Sequence, residues 1–299
     1  MRTRIVLALV GCLVCLSGVV RAEDRYFDSN GTRIRYTITG EGEPVLLIHG
    51  FTANIEAQWM LPGVIDALAE DYQVIALDNR GHGKSDKPHD PQKYGSEMAE
   101  DAIRLLDYLK IEKAHVIGYS MGAMITSKLL ATHPDHLLSA TLGGAAGLRE
   151  AADLTFFNQL ADSLEAGRGM GPLIEVLTPA GRPKPTPDQI EGINAMLTAM
   201  NDTKALAAAA RGFEGLRVTD DQLKSNRVPT LAVIGADDPL KEGVDSVRDV
   251  MSNLEVVVIE DIDHMTAFSS PRFRQAIREF LAEHRDTNKP INPTLAPAK

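Results

Sequence analysis

Gly118-Tyr119-Ser120-Met121-Gly122 follows the apolar run Ala114-His115-Val116-Ile117 and precedes a stretch of helical character, residues 123–132. The order is strand, sharp turn, helix, with a serine at the apex. A serine so placed is held in a strained turn that lifts its hydroxyl clear of the sheet. The glycines on either side supply space, because a side chain at either position would collide with the neighbouring strand or helix. The Met121 amide falls at the start of the helix, where an unpaired N–H can face a developing oxyanion.

Outward from this turn, short β-rich runs alternate with amphipathic helical runs. Strands are expected at 33–38, 45–48, 73–77, 115–118, 138–142, 230–234 and 255–259, and helices at 57–70, 97–110, 121–133, 243–252 and 271–284. The alternation predicts an α/β fold, a mostly parallel central sheet with helices on both faces. It lapses from 147 to 223, which offers only helical patches at 151–166, 188–200 and 203–211 around a Gly/Pro-rich joint. That interval is longer than a crossover needs, and it predicts a helical insertion riding over the sheet as a lid. The core is then expected from 23–146 and 224–285, with a proline-bearing, disordered tail over 286–299.

A serine hydroxyl is a poor nucleophile until a base takes its proton, and the base needs a carboxylate to fix its tautomer. Two late strands supply both. Residues 230–234 run into Gly235-Ala236-Asp237-Asp238-Pro239, and 255–259 run into Asp261-Ile262-Asp263-His264-Met265. The order Ser120, Asp238, His264 resembles that of the α/β-hydrolases. The resemblance extends over residues 30–284 and includes His49-Gly50-Phe51 after the second expected strand. It also includes Asp78-Asn79-Arg80-Gly81-His82-Gly83-Lys84-Ser85-Asp86, similar to the D-x-R-G-x-G-x-S loop of the esterase-like branch.

This resemblance implies Ser120 as nucleophile, His264 as base and Asp238 as its acid. In similar sequences the acid sits three residues after the glycine that closes the strand; Asp237 is the alternative. It further implies the Phe51 N–H as a second oxyanion donor beside that of Met121. Trp59 and Tyr119 line a pocket or pack in the core, and His49 and His82 belong to structural loops. His133-Pro134-Asp135-His136 reads as a helix-terminating turn in preference to a metal site. The implied substrate is a small acyl compound (ester, lactone or thioester) cleaved through an acyl-enzyme. Carbon–carbon bond hydrolases and cofactor-free haloperoxidases or perhydrolases share the same triad and stay open. Dehalogenases and epoxide hydrolases normally carry an aspartate where Ser120 stands. A non-catalytic binding protein on this fold would be expected to lack a triad member. The alanine-rich stretch 205–210 suggests a small or medium apolar acyl group.

Residues 1–22 are expected to be a signal peptide: Arg2 and Arg4 precede an apolar stretch, 5–20, and cleavage after Ala22 leaves Glu23 first. Both cysteines, Cys12 and Cys15, fall inside it, so their C-x-x-C spacing hosts neither redox chemistry nor zinc. The expected location is secreted or periplasmic, without stable membrane insertion after cleavage. The alternative is a lipoprotein anchored at Cys12, because Leu9-Val10-Gly11-Cys12 resembles a lipobox. A net charge of −10 argues against nucleic acid or anionic membrane as a partner. No zinc spacing, P-loop or dinucleotide fingerprint points to a metal or cofactor, and no feature of the chain speaks to oligomeric state.

Overall fold

The strands of the computed structural model are β1 (Arg25–Ser29), β2 (Thr32–Thr39), β3 (Glu43–Ile48), β4 (Tyr72–Leu77), β5 (Ala114–Tyr119), β6 (Leu137–Gly143), β7 (Thr230–Gly235) and β8 (Leu254–Ile259). They form one sheet in the order β1-β2-β4-β3-β5-β6-β7-β8. The structure describes residues 23–149 and 151–285. The expected signal peptide with Cys12 and Cys15, and the expected tail, lie outside the described residues.

Strands β3 to β8 pair in parallel, while β2 runs antiparallel to both β1 and β4. A parallel sheet is covered on both faces, so its central strands are continuous apolar runs; β5 and β7 are buried at every position. The covering helices are α1 (Val64–Ala69), α2 (Ser96–Tyr108), α3 (Met121–Thr132), α4 (Ala151–Glu165), α5 (Gly171–Val176), α6 (Pro187–Met200), α7 (Thr203–Gly212), α8 (Asp220–Lys224), α9 (Lys241–Arg248) and α10 (Pro271–Glu283). Helices α2, α3, α4, α7 and α9 contribute to one apolar layer, and α1 and α10 to the other.

Strand β3 lies between β4 and β5. The chain leaves β3 on one side and recrosses the sheet to β5 on the other. The carboxyl ends of β3 and β5 therefore flank the point where strand order reverses, the usual place for a ligand crevice in such sheets.

Three features depart from the sequence reading. Strand β1 was not expected, because three of its five residues are exposed and give no apolar run. Its signal lay in Asn30-Gly31, both at positive φ (55° and 78°), the two-residue turn that favours hairpins. The helix expected at 57–70 is two pieces, a π-helical turn over Glu56–Met60 and then α1, separated by Gly63 at φ 72°.

Among its described residues the interval 147–223 holds helices and no strand, but it is not uniform. Residues 205–210 are each buried, and they serve helix packing. A Cβ on Gly95 would stand 2.2 Å from the Gly212 carbonyl oxygen, and one on Gly215 would stand 2.7 Å from the Ser96 nitrogen. These close approaches weld the end of α7 to the start of α2. By contrast α6 has no buried residue and leaves Met196 and Met200 more than half exposed.

Candidate active site

The register pairs Ile48 of β3 with Gly118 of β5, which sets Gly50 beside Ser120 where the two strands end. Both elbow glycines are sterically required. A Cβ on Gly118 would lie 2.0 Å from the Gly122 carbonyl oxygen, and one on Gly122 would lie 2.0 Å from that of Ile48. Ser120 adopts φ 54° and ψ −114°, a region unfavourable to any residue with a side chain. Its N–H donates to the Gly143 carbonyl at 2.8 Å, which anchors the turn to β6.

Strands β7 and β8 are neighbours, so the loops that follow them meet. A Cβ on Gly235 would lie 2.1 Å from the Ile262 carbonyl oxygen. The His264 Nδ1 stands 2.9 Å from Asp238 Oδ2, and its Nε2 stands 3.0 Å from Ser120 Oγ. The second Asp238 oxygen accepts the Leu240 N–H at 2.9 Å. Asp238 and His264 are both buried, whereas Asp237 points to solvent. Nδ1–H donating to the carboxylate leaves the Nε2 lone pair directed at the serine hydroxyl. Asp263 turns its carboxylate to Arg182 of the α5–α6 joint, 3.3 Å away.

Met121 follows Ser120 in the chain, and Phe51 follows Gly50. Neither of their amides is paired with a backbone carbonyl among the described residues. A Cβ on Gly50 would be 3.3 Å from Ser120 Cβ, so the Gly50–Phe51 backbone passes alongside the elbow. The Phe51 ring packs edge-on against His82 and Phe213, and the Met121 side chain is core.

Trp59 and Tyr119 correct the pocket reading. Trp59 is fully buried in the layer that holds α1 and α10, and Tyr119 lies in the same layer against Phe273. The alternation along β5 turns Tyr119 away from the face that α3 covers. Its hydroxyl donates to the His264 carbonyl at 2.5 Å. Burial, with the nearby Asp238 and Asp263 charges, holds the phenol well above its usual pKa, so it stays a donor. Tyr119 thus braces the loop that carries His264.

The loop after β4 is built around two buried ion pairs. Asp78 accepts from Arg35 at 2.9 Å, from the Lys84 N–H at 2.8 Å and from the Ile55 N–H at 2.9 Å. Arg80 meets both oxygens of Asp101 at 2.7 Å. His49 Nε2 accepts the Asn79 N–H at 3.0 Å, and His82 Nδ1 lies 3.0 Å from the Arg80 carbonyl. Neither imidazole reaches Ser120. His133 and His136 flank the turn that ends α3, and among the described residues no group of three or more His, Cys, Asp or Glu could hold a metal ion.

Burial depresses both loop histidines, and His49 adds to the effect on His82, whose pKa falls to about 3. An unfolded imidazole titrates near ~6.5. Below that pH the unfolded chain binds protons that the folded chain refuses, so stability is full above ~6.5 and declines as pH falls toward 3. His82 alone contributes a slope of up to about 1.4 kcal/mol per pH unit in that window. Melting temperatures measured from pH 7 to 4 should fall, and His82→Gln should make the decline shallower. An unchanged slope in the variant would contradict this assignment.

A family model described as the alpha/beta hydrolase fold matches residues 43–176. That span includes Ser120 and ends before Asp238 and His264. An esterase from Thermogutta terrifontis superposes with a TM-score of 0.72 at 24% identity, covering 88% of this chain and 99% of that one. An enol-lactonase from Burkholderia xenovorans gives a TM-score of 0.70 at 21% identity, covering 86% and 100%. This chain has the α/β-hydrolase fold.

Among curated relatives, a dihydrolipoyllysine-residue acetyltransferase component of an acetoin cleaving system from Cupriavidus necator is 34% identical over 51% of this chain. The chain spans only 40% of that relative's length. A 2-hydroxy-6-oxo-6-(2'-aminophenyl)hexa-2,4-dienoic acid hydrolase from Metapseudomonas resinovorans is 28% identical over 89% of this chain and 93% of its own.

Proposed function

We propose that the chain is a serine hydrolase of carboxylic esters, lactones or thioesters, acting through an acyl-enzyme. The observation that carries this reading is the unbroken hydrogen-bonded chain Ser120–His264–Asp238, with the serine at the left-handed apex of the elbow. In this reading Ser120 Oγ attacks the substrate carbonyl carbon as His264 Nε2 takes the hydroxyl proton. Asp238 holds the imidazole tautomer and stabilises the imidazolium. The oxygen of the tetrahedral intermediate is received by the Phe51 and Met121 amides. Collapse returns the proton to the leaving alcohol or thiol and leaves the acyl group on Ser120. Water deprotonated by His264 then releases the acid.

Helices α5 and α6 act as the lid in this account, while α4, α7 and α8 belong to the core layer. Two contacts support the assignment. Arg182 pairs with Asp263 beside His264, and the Asn201 amide donates to the Thr52 carbonyl beside Phe51 at 3.4 Å. Residues 1–22 have the signal-peptide pattern, and we assign the protein to the secreted or periplasmic compartment on that pattern.

A carbon–carbon bond hydrolase is the second reading, favoured by the full-length likeness to the dienoic acid hydrolase. One panel separates the two: p-nitrophenyl esters of graded chain length, lactones, and a vinylogous 1,5-diketone acid. Turnover of esters or lactones well above that of the diketone supports the first reading. The reverse order supports the second.

A further inference from the structure

Gln58 lies on the π-helical turn that follows the Phe51 loop, a helix form frequent at functional sites. The turn is closed by the Leu61 N–H donating to the Glu56 carbonyl at 2.9 Å. Three anchors fix it: the Ile55 N–H on Asp78, Glu56 paired with Arg35 at 2.7 Å, and Trp59 in the core. Asp78 of the loop after β4, Arg35 of β2 and the core packing of Trp59 together fix where Gln58 stands.

Its amide is 4% exposed overall and only half satisfied. Oε1 accepts the Gly50 N–H at 3.4 Å. Reversing the amide would set an NH2 against an N–H, so the oxygen belongs on the Gly50 side. Nε2 is left buried with no partner among the described residues. A glutamine kept for packing alone would have no reason to bury an unpaired donor, because an apolar residue fills the same volume without that penalty.

What the amide does accomplish is local to the reaction. A Cβ on Gly50 would meet Gln58 Oε1 at 3.4 Å, Ser120 Cβ at 3.3 Å and the Tyr119 carbonyl oxygen at 3.2 Å. Gly50 is thus bonded to Gln58 and in close contact with the elbow, and the next N–H in the chain is that of Phe51. We propose that Gln58 is a positioning residue: by receiving the Gly50 N–H it sets the Gly50–Phe51 peptide, and so aims the Phe51 N–H at the oxygen of the carbonyl that Ser120 attacks. This rests on the hydrolase reading above.

The test is Gln58→Met, with Gln58→Leu as a second variant of similar volume. Each removes the unpaired donor together with a long hydrogen bond, so the melting temperature should stay within about 3 °C of wild type. A mis-aimed oxyanion donor should lower kcat by about 10–100-fold with KM changed less than about threefold. The inhibition constant of a trifluoromethyl ketone, which mimics the tetrahedral state, should rise by the same factor as kcat/KM falls. Wild-type kcat in either folded variant overturns the inference, and so does unfolding of both, which would make Gln58 structural. A wild-type protein that neither hydrolyses the ester panel nor forms an adduct at Ser120 overturns the hydrolase reading itself, and is told apart by needing no variant.

Discussion

Ser120→Ala should lower kcat by roughly 10⁴–10⁶-fold while the protein stays folded. The hydroxyl is the atom that His264 Nε2 faces at 3.0 Å, and no other nucleophile stands in that hydrogen-bonded chain. Alanine keeps the strain of the elbow, since it too carries a Cβ at φ 54°. Ser120→Gly removes nucleophile and strain together, and should be as inactive but more stable than the alanine variant by about 1 kcal/mol. Steady-state ester hydrolysis and thermal melts on the three proteins check both halves. Activity in Ser120→Ala within tenfold of wild type would set aside the nucleophile assignment.

Asp101→Ala should be the most damaging single change to stability, at about 3–5 kcal/mol. Arg80 is fully buried, and its guanidinium bonds both Asp101 oxygens and the Lys93 carbonyl. Asp101 also accepts the Ser29 hydroxyl at 2.5 Å, so losing it leaves the buried Arg80 cation with only the Glu97 carboxylate, 3.7 Å away, to pair it, and removes the acceptor of the Ser29 proton. For a domain of this size that corresponds to a melting temperature lower by about 6–20 °C. The double variant Arg80→Met, Asp101→Leu leaves no unpaired charge and should recover most of the loss. Equal destabilisation of single and double variants, read by calorimetry, would show that the pair itself, and not the stranded charge, carries the effect.

The parallel sheet was legible because its strands are apolar on both faces and flanked by amphipathic helices; all seven expected strands are present, lengthened by one or two residues. Strand β1 was not, because an edge strand needs no apolar run, and only Asn30-Gly31 marked its turn. Ser120, Asp238 and His264 could be picked out because each follows a strand, and strand order in the sheet then sets them within hydrogen-bonding distance. Side-chain direction was harder to read. Trp59 and Tyr119 flank the site in sequence but face the far layer. Gln58 left no sequence signal, since its relation to Gly50 depends on a π-helical turn that periodicity does not reveal. The insertion divided for a similar reason: glycine approaches at 95, 212 and 215, not composition, separate the welded α7 from the exposed α6.

Covalent labelling tests the central claim most directly. Wild-type protein treated with a fluorophosphonate should gain the mass of one phosphonyl group, mapped by peptide mass spectrometry to Ser120. His264→Ala should label far more slowly, because the serine then lacks its base. An adduct on another residue, or none under conditions that label a known serine esterase, would contradict the account.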